Sequence, residues 1–202
     1  MTGKLISFEG IDGAGKTTVI EYVQQYLLRH HRSVFVAREP GTTPIGQQIR
    51  ELLKSSLTRT PITELLLHEA SRSSTVEFCI RPSLAQYDFV LLDRYVDSTI
   101  AYQGYGNQLS IPMIEQLNKI ATADLMPDAR FLIDVSVSEA QKRRQQRLQT
   151  VDSHDILDDD LEYAKRVYQG YQELVKQGIL IDMPNYNSNT TAKLIGEQLL
   201  KL

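Results

Sequence analysis

Residues 10–17 read Gly10-Ile11-Asp12-Gly13-Ala14-Gly15-Lys16-Thr17 and match the pattern G-x-x-x-x-G-K-[ST]. The apolar run Leu5-Ile6-Ser7-Phe8 before them predicts a buried strand, and Thr18-Val19-Ile20-Glu21-Tyr22-Val23 after them predicts a helix. This order is the setting of a phosphate-binding loop, in which glycines let backbone N–H groups converge on one anion at the positive end of a helix. The loop therefore predicts a nucleoside triphosphate site.

The residue types within this loop have distinct tasks. A lysine in the position of Lys16 reaches the β- and γ-phosphates, and a hydroxyl in the position of Thr17 can hold Mg²⁺. The predicted triphosphate-binding residues are Gly10, Ile11, Asp12, Gly13, Ala14, Gly15, Lys16, Thr17 and Thr18.

The composition is that of an ordinary globular domain of 202 residues, so we expect a single domain over residues 1–202. A net charge of −3 gives no electrostatic reason to expect nucleic acid or an anionic membrane as a partner. The single cysteine, Cys79, excludes an internal disulfide and, between apolar neighbours, is expected to be a buried small side chain. With no basic-then-apolar leader and no apolar run of about 18–20 residues, we expect a cytoplasmic protein.

Short apolar runs alternate with longer helical patterns along the chain, which predicts an α/β domain: a five-stranded parallel sheet flanked by helices in three layers. Strands are predicted at residues 5–9, 33–37, 89–93, 130–135 and 178–183. Helices are predicted at 16–31, 44–55, 63–80 with a continuation, 97–102, 111–122, 138–147, 159–177 and 191–201. Ligands bind beyond the carboxyl ends of parallel strands, so motifs that follow strands are expected to meet at one edge.

Two such motifs supply charged side chains. Asp93-Arg94-Tyr95 follows a strand, and there a carboxylate can hold Mg²⁺ while the arginine offers a planar fork to a second phosphate. Arg38-Glu39-Pro40-Gly41 follows another strand, and its tight turn can aim Arg38 and Glu39 into the cleft. On local grounds Arg50 is no more than a surface helix arginine.

A basic cluster between residues 142 and 147 contains Lys142, Arg143, Arg144 and Arg147, and an acidic stretch over residues 152–162 follows it. One interpretation is a solvated helix end, a polar loop and the acidic start of the next helix. The other is a mobile lid over about residues 138–160, whose arginines close on a transferred phosphoryl group.

Three ordered elements together resemble the bacterial thymidylate kinase family, over essentially the whole chain. They are Phe8-Glu9-Gly10-Ile11-Asp12-Gly13-Ala14-Gly15-Lys16-Thr17-Thr18, Arg38-Glu39-Pro40-Gly41-Thr42-Thr43-Pro44-Ile45-Gly46, and Asp93-Arg94-Tyr95-Val96-Asp97-Ser98-Thr99 with Ala101-Tyr102-Gln103-Gly104. The resemblance implies a P-loop nucleoside-monophosphate kinase fold, a homodimer, and transfer of the ATP γ-phosphoryl group to dTMP with Mg²⁺.

Site roles follow from the same resemblance, position by position. The implied dTMP-binding residues are Asp12, Arg38, Glu39, Arg50, His68, Arg72, Arg94, Ser98, Thr99 and Gln103, with Arg94 and either Arg38 or Arg50 on the phosphate. The implied Mg²⁺ ligands are Thr17 and Asp93, and the implied catalytic residues are Asp12, Lys16, Arg94, Arg143 and Arg147. Gly13 stands where one type of enzyme in the family has a basic residue. This chain therefore resembles the other type, in which the lid supplies the arginines.

Two positions depart from the family pattern. His68, four residues before Arg72 and so on the same helical face, replaces the phenylalanine that stacks on thymine. Either its imidazole stacks in that place, or a neighbouring side chain fills the slot. Thr42 replaces a glycine after Pro-Gly.

Two rival functions remain at the level of sequence. Another small P-loop kinase, with a different monophosphate or a deoxynucleoside as acceptor, would share the loop. A nucleotide-dependent switch such as a GTPase would need a base-reading N-K-x-D, and Asn118-Lys119-Ile120-Ala121 lacks the aspartate.

Overall fold

The computed structural model describes residues 3–148 and 160–202. Five parallel strands form one sheet in the order β2-β3-β1-β4-β5. Their bounds are β1 Lys4–Glu9, β2 Val34–Arg38, β3 Phe89–Asp93, β4 Ala129–Asp134 and β5 Ile181–Pro184. The fold class predicted from the sequence is confirmed.

Helices cover both faces of this sheet. They are α1 Lys16–Arg29, α2 Pro44–Lys54, α3 Pro61–Thr75, α4 Arg81–Leu84, α5 Val96–Thr99, α6 Ile111–Thr122, α7 Val137–Leu148, α8 Leu161–Lys176 and α9 Ser188–Leu199. Two π-helical segments extend them: Val76–Ile80 joins α3 to α4, and Ile100–Gly106 continues α5. The predicted continuation beyond residue 80 is therefore present, and the helix predicted at 97–102 changes its hydrogen-bond pattern after Thr99.

The core lies on both faces of the two central strands, because successive side chains of a strand point to opposite sides. Ile6 and Phe8 of β1 pack into one cluster with α1, α8 and α9, and Leu5 packs into the other with the helical residues around Ile80. Burial on both faces accounts for the near-continuous apolar runs of β1 and β3.

Several predicted boundaries are shifted by local hydrogen bonds. The Thr60 side chain accepts from Thr63 N, so α3 begins before residue 63. The Asn187 side chain accepts from Asn189 N and Thr190 N, so α9 begins before residue 191. β5 begins after 178 because the N–H groups of residues 178–180 bond back to carbonyl groups of α8.

The register of the sheet sets up the site. Arg38 pairs with Asp93 across β2 and β3, and Phe8 pairs with Asp93 across β1 and β3. The charged motifs and the loop after β1 therefore meet at one carboxyl edge, as parallel strands require.

Candidate active site

The phosphate loop follows β1 and turns through positive φ at Gly10, Gly13 and Gly15, where φ is 140°, 91° and 89°. A Cβ on Gly13 would overlap the carbonyl oxygen of Ala140 in α7, and a Cβ on Gly15 would lie 2.8 Å from Nδ2 of Asn185. Glycine suits both positions, because a side chain is strained at these left-handed φ values, and at Gly13 the backbone of α7 also leaves no room for a Cβ.

Lys16 lies inside this loop. Its Nζ donates to the carbonyl oxygens of Gly10 at 2.9 Å and Ile11 at 3.1 Å. Burial, together with the charge of Arg94, lowers the pKa of Lys16 to about 8. The ammonium group thus stays within the loop, paired with neutral carbonyl oxygens.

Thr17 and Asp93 form a pair of oxygen ligands beside the loop. Thr17 Oγ1 donates to Asp93 Oδ2 at 3.1 Å, and Arg38 Nε lies 3.9 Å from the same carboxylate oxygen. A hydroxyl and a carboxylate are oxygen donors of the kind that Mg²⁺ takes at phosphate sites, so the two residues fit that ion.

Beyond the loop lies a cavity of about 570 Å³. All residues predicted to bind the acceptor line it: Asp12, Arg38, Glu39, Arg50, His68, Arg72, Arg94, Ser98, Thr99 and Gln103. Arg144 of the basic cluster also lines it. So do Tyr102, Arg59 and Glu64, to which sequence reasoning assigned no role. Of these, Tyr102 had a signal, since it stands one helical turn after Ser98.

Arg94 has an unusual backbone conformation and donates hydrogen bonds to four side chains. Its φ of 74° is a left-handed value that is uncommon for arginine. Nη2 donates to Asp12 Oδ1 at 2.6 Å and to Tyr102 OH at 3.0 Å, and the guanidinium lies 4.7 Å from the centre of the Tyr102 ring. Nη1 donates to Ser98 Oγ at 3.1 Å and Tyr171 OH at 3.2 Å.

The carboxylate of Asp12 interacts with the charges of Arg94 and Lys16. Desolvation opposes its charge, but Arg94 and Lys16 outweigh that effect and hold the pKa of the Asp12 carboxyl well below its ordinary range. Asp12 therefore stays ionised between the loop and the cavity.

Arg72 is buried, and all three of its guanidinium nitrogens donate hydrogen bonds. It bonds two carboxylates, Glu39 Oε2 at 2.9 Å and Glu69 Oε1 at 2.8 Å. It also bonds Thr99 Oγ1 at 3.2 Å, Asn118 Oδ1 at 2.6 Å and Tyr95 O at 2.9 Å. Burial raises the pKa of Glu39 to about 7, although the charge of Arg72 lowers it. Arg72 thus ties β2, α3, α5 and α6 together beside the cavity.

The end of the cavity that holds His68 also carries a chain of polar contacts. Gln103 Nε2 donates to Glu64 Oε1 at 2.9 Å, and Arg59 Nε lies 3.6 Å from Glu64 Oε2. Burial, with the nearby charge of Arg72, lowers the pKa of His68 to about 3. His68 is therefore a neutral imidazole across the ordinary pH range.

The basic cluster falls on α7. Arg143 donates to Glu139 Oε1 at 2.8 Å, to Asn185 O at 3.0 Å and to Ala14 O at 3.4 Å, so it contacts the phosphate loop. Arg144 packs beside Gly13 and adds to the charges that lower the pKa of Asp12. The side chain of Arg147 and residues 149–159 of the predicted lid lie outside the described residues.

The family model described as thymidylate kinase matches residues 8–193. The chain belongs to the thymidylate kinase family. It is 42% identical over 178 residues to a thymidylate kinase of a Thermoanaerobacter species, covering 88% of this chain and 86% of that protein. It is 39% identical over 219 residues to one of Trichodesmium erythraeum, covering 98% and 94%.

A solved structure extends the likeness to three dimensions. The crystal structure of thymidylate kinase from Ehrlichia chaffeensis matches with a TM-score of 0.80 at 32% identity, covering 100% of each chain. Family membership makes this protein an enzyme of the transferase class. Within the described ranges 3–148 and 160–202, none of the helices has the length and apolar character to cross a membrane.

Proposed function

We propose that this protein transfers the γ-phosphoryl group of ATP to dTMP, giving dTDP and ADP, with Mg²⁺ bound at the donor phosphates. The observation that carries the proposal is that two cations, Lys16 and Arg94, both act on the charge of Asp12. Lys16 lies in the donor loop, and Arg94 lies on the wall of the cavity that the acceptor would occupy. Two phosphates must meet in this reaction, and each needs its own positive charge.

The donor site is formed by residues 10–18. Backbone N–H groups of the loop and Lys16 hold the phosphates of ATP, and Thr17 with Asp93 would hold Mg²⁺, which neutralises charge at the phosphates when bound. Arg143 steadies the loop through Ala14 O and Asn185 O.

We propose that dTMP lies with its phosphate at Arg94 and its base towards His68 and Gln103. A phosphate oxygen of dTMP attacks the γ-phosphorus, the bond to the oxygen bridging the β- and γ-phosphorus breaks, and ADP leaves with that oxygen. No protein nucleophile is required, so positioning and charge neutralisation supply the catalysis. We assign Arg147 to the transferred group and Asp12 to the deoxyribose 3′-hydroxyl.

The base would be recognised by Gln103, Arg72 and His68. A carboxylate only accepts hydrogen bonds, so Glu64 orients the NH₂ of Gln103 toward itself. The Gln103 carbonyl is then the acceptor available for the N3–H of thymine, which cytosine lacks. His68, held neutral, offers a flat face for stacking on the base.

Measurement of ADP formation by the purified enzyme tests this function. With dTMP, dUMP, dCMP, AMP and thymidine compared as acceptors, we expect dTMP to have the highest kcat/KM and thymidine to be inactive. Preference for another acceptor would refute the specificity, and activity on thymidine would place the protein among deoxynucleoside kinases.

The likeness to the family also supports a homodimer. We propose in addition that it acts in the cytoplasm without nucleic acid or membrane as a partner, in keeping with its net charge of −3. Closed dimers are the commonest soluble oligomers. Sedimentation equilibrium at micromolar concentration tests the dimer, and a monomer mass would refute it.

A further inference from the structure

Behind Arg94, on the side away from Asp12, lies a buried carboxyl group. Glu9 at the end of β1 is fully buried, and it accepts hydrogen bonds from Tyr95 N at 2.8 Å and Ser98 Oγ at 2.5 Å. The hydroxyl of Tyr171, a buried residue of α8, lies 3.4 Å from the same Glu9 oxygen as Ser98 Oγ.

Two hydroxyl groups therefore separate this carboxyl from the Arg94 guanidinium. Ser98 Oγ accepts from Arg94 Nη1 at 3.1 Å, Tyr171 OH accepts from the same nitrogen at 3.2 Å, and the two oxygens lie 3.0 Å apart. Each hydroxyl accepts from the guanidinium on one side and lies within reach of the carboxyl on the other. Burial raises the pKa of Glu9, and in its ionised form this carboxyl would make a strong charge-assisted contact with any arginine that reached it.

Tyr171 is suited to separating Arg94 from Glu9 and has no direct contact with the cavity. Its side chain is fully buried, so it is not exposed to the cavity. Burial holds the pKa of its phenol well above the ordinary value, so the group stays neutral and acts only by hydrogen bonding. Its ring packs edge-on against Tyr102, with centroids 6.2 Å apart, and Tyr102 is another partner of Arg94.

We propose that Tyr171 is a positioning residue for the acceptor phosphate: with Ser98 it holds the Arg94 guanidinium at the cavity wall and keeps it from pairing with Glu9. Without the Tyr171 hydroxyl, the guanidinium loses one of its four hydrogen-bond partners among the described residues and can shift toward the carboxyl. The acceptor phosphate would then meet a displaced cation. This inference rests on the proposed function, because it assigns Arg94 to the dTMP phosphate.

The variant Tyr171→Phe removes the hydroxyl and keeps the ring. We expect the KM for dTMP to rise roughly tenfold, since the lost bond involves a charged partner, while the KM for ATP changes less than about twofold. Tyr168→Phe is the matched control, because it makes the same change on the same helix at a hydroxyl that contacts Asp134 instead. The control should leave both KM values within about twofold of the wild type.

A double-mutant cycle separates positioning from general packing. If Tyr171 acts through Arg94, then Tyr171→Phe adds nothing to kcat/KM for dTMP in an Arg94→Ala background. An equal loss in both backgrounds would overturn the proposal, as would an unchanged dTMP KM in a folded Tyr171→Phe variant. A parallel rise in both KM values with a lowered Tm would also overturn it, because that result marks a structural role.

The Ser98→Ala variant and the activity of the wild-type enzyme complete the test of the positioning role. Should Tyr171→Phe fail to fold, Ser98→Ala removes the other hydroxyl, and an unchanged dTMP KM in that variant overturns the proposal. A wild-type enzyme that does not phosphorylate dTMP refutes the proposed function. An active wild type whose variants keep their dTMP KM refutes only the positioning role.

Discussion

Replacing Arg72 by methionine removes a buried charge and leaves its two carboxylate partners behind. Glu39 and Glu69 are both buried and lie within 2.9 Å and 2.8 Å of the guanidinium. Breaking a buried ion pair by removing one partner typically costs about 3–5 kcal/mol, since the remaining charge has no compensation. We expect Arg72→Met to lower the free energy of unfolding by that amount, even though methionine fills much of the same space.

The pH dependence of this loss follows from the carboxyl pKa values. The charge of Arg72 lowers the pKa of Glu39 and Glu69, so its removal raises both further, and that of Glu39 is already about 7. A carboxyl with a raised folded pKa binds more protons when folded, so stability falls as pH rises through the interval between the unfolded and folded pKa. The variant extends this interval above pH 7. The deficit should therefore grow above about pH 7 by at most about 1.4 kcal/mol per pH unit for each carboxyl.

Urea denaturation at about pH 6.5 and about pH 8.5 measures the effect. Arg81→Met is the matched control, because Arg81 donates to the carbonyl oxygens of Thr122 and Ala123 rather than to carboxylates. Its deficit should be smaller and should not change with pH. A deficit below about 1 kcal/mol for Arg72→Met, or one equal at both pH values, would refute the argument that Arg72 compensates two buried charges.

Three other changes test the donor loop, the lid and the base pocket. Gly13→Ala should reduce ATP affinity by roughly tenfold or more and lower Tm, because the new Cβ would overlap Ala140 O at a positive φ. Unchanged ATP binding in calorimetry would contradict this. Arg147→Ala should lower kcat by roughly 100-fold and change KM for dTMP little, as a charge that acts in the transition state would; unchanged steady-state kinetics would remove Arg147 from the mechanism. His68→Phe should keep the dTMP KM within about threefold, because both side chains offer a flat neutral face, and a large rise would show that the imidazole nitrogens contact the base.

The sheet and the charged motifs were predictable because they depend on local pattern. Short apolar runs predict buried parallel strands, and a residue directly after such a strand must lie at the carboxyl edge. Asp93, Arg94, Arg38 and the loop each satisfy that condition on their own. The acceptor-binding residues were identified through the resemblance to the family. It supplied positions on helices that hydrophobic periodicity alone could not select.

Partners that come from distant parts of the chain could not be predicted. Tyr171 lies 77 residues after Arg94, and in the sequence it is one of several tyrosines on an amphipathic helix. The two π-helical segments have no compositional signal either. Arg144 was part of a recognised cluster, but only the close approach of α7 to Gly13 distinguishes it from its neighbours.

The hydrogen-bond partners of Lys16 and Arg94 explain how these two cations remain available to anionic substrates within one cleft. Lys16 bonds carbonyl oxygens of its own loop, and Arg94 bonds Asp12 and three hydroxyl groups. Neutral oxygens hold a cation less strongly than phosphate does, since only the phosphate adds an attraction between two full charges. Phosphates can therefore displace the carbonyl contacts of Lys16 and the hydroxyl contacts of Arg94, while the ion pair between Arg94 and Asp12 stays in place. Separation of Arg94 from Glu9 by hydroxyl groups preserves that condition, because a direct pair would compete with the acceptor phosphate for the same guanidinium.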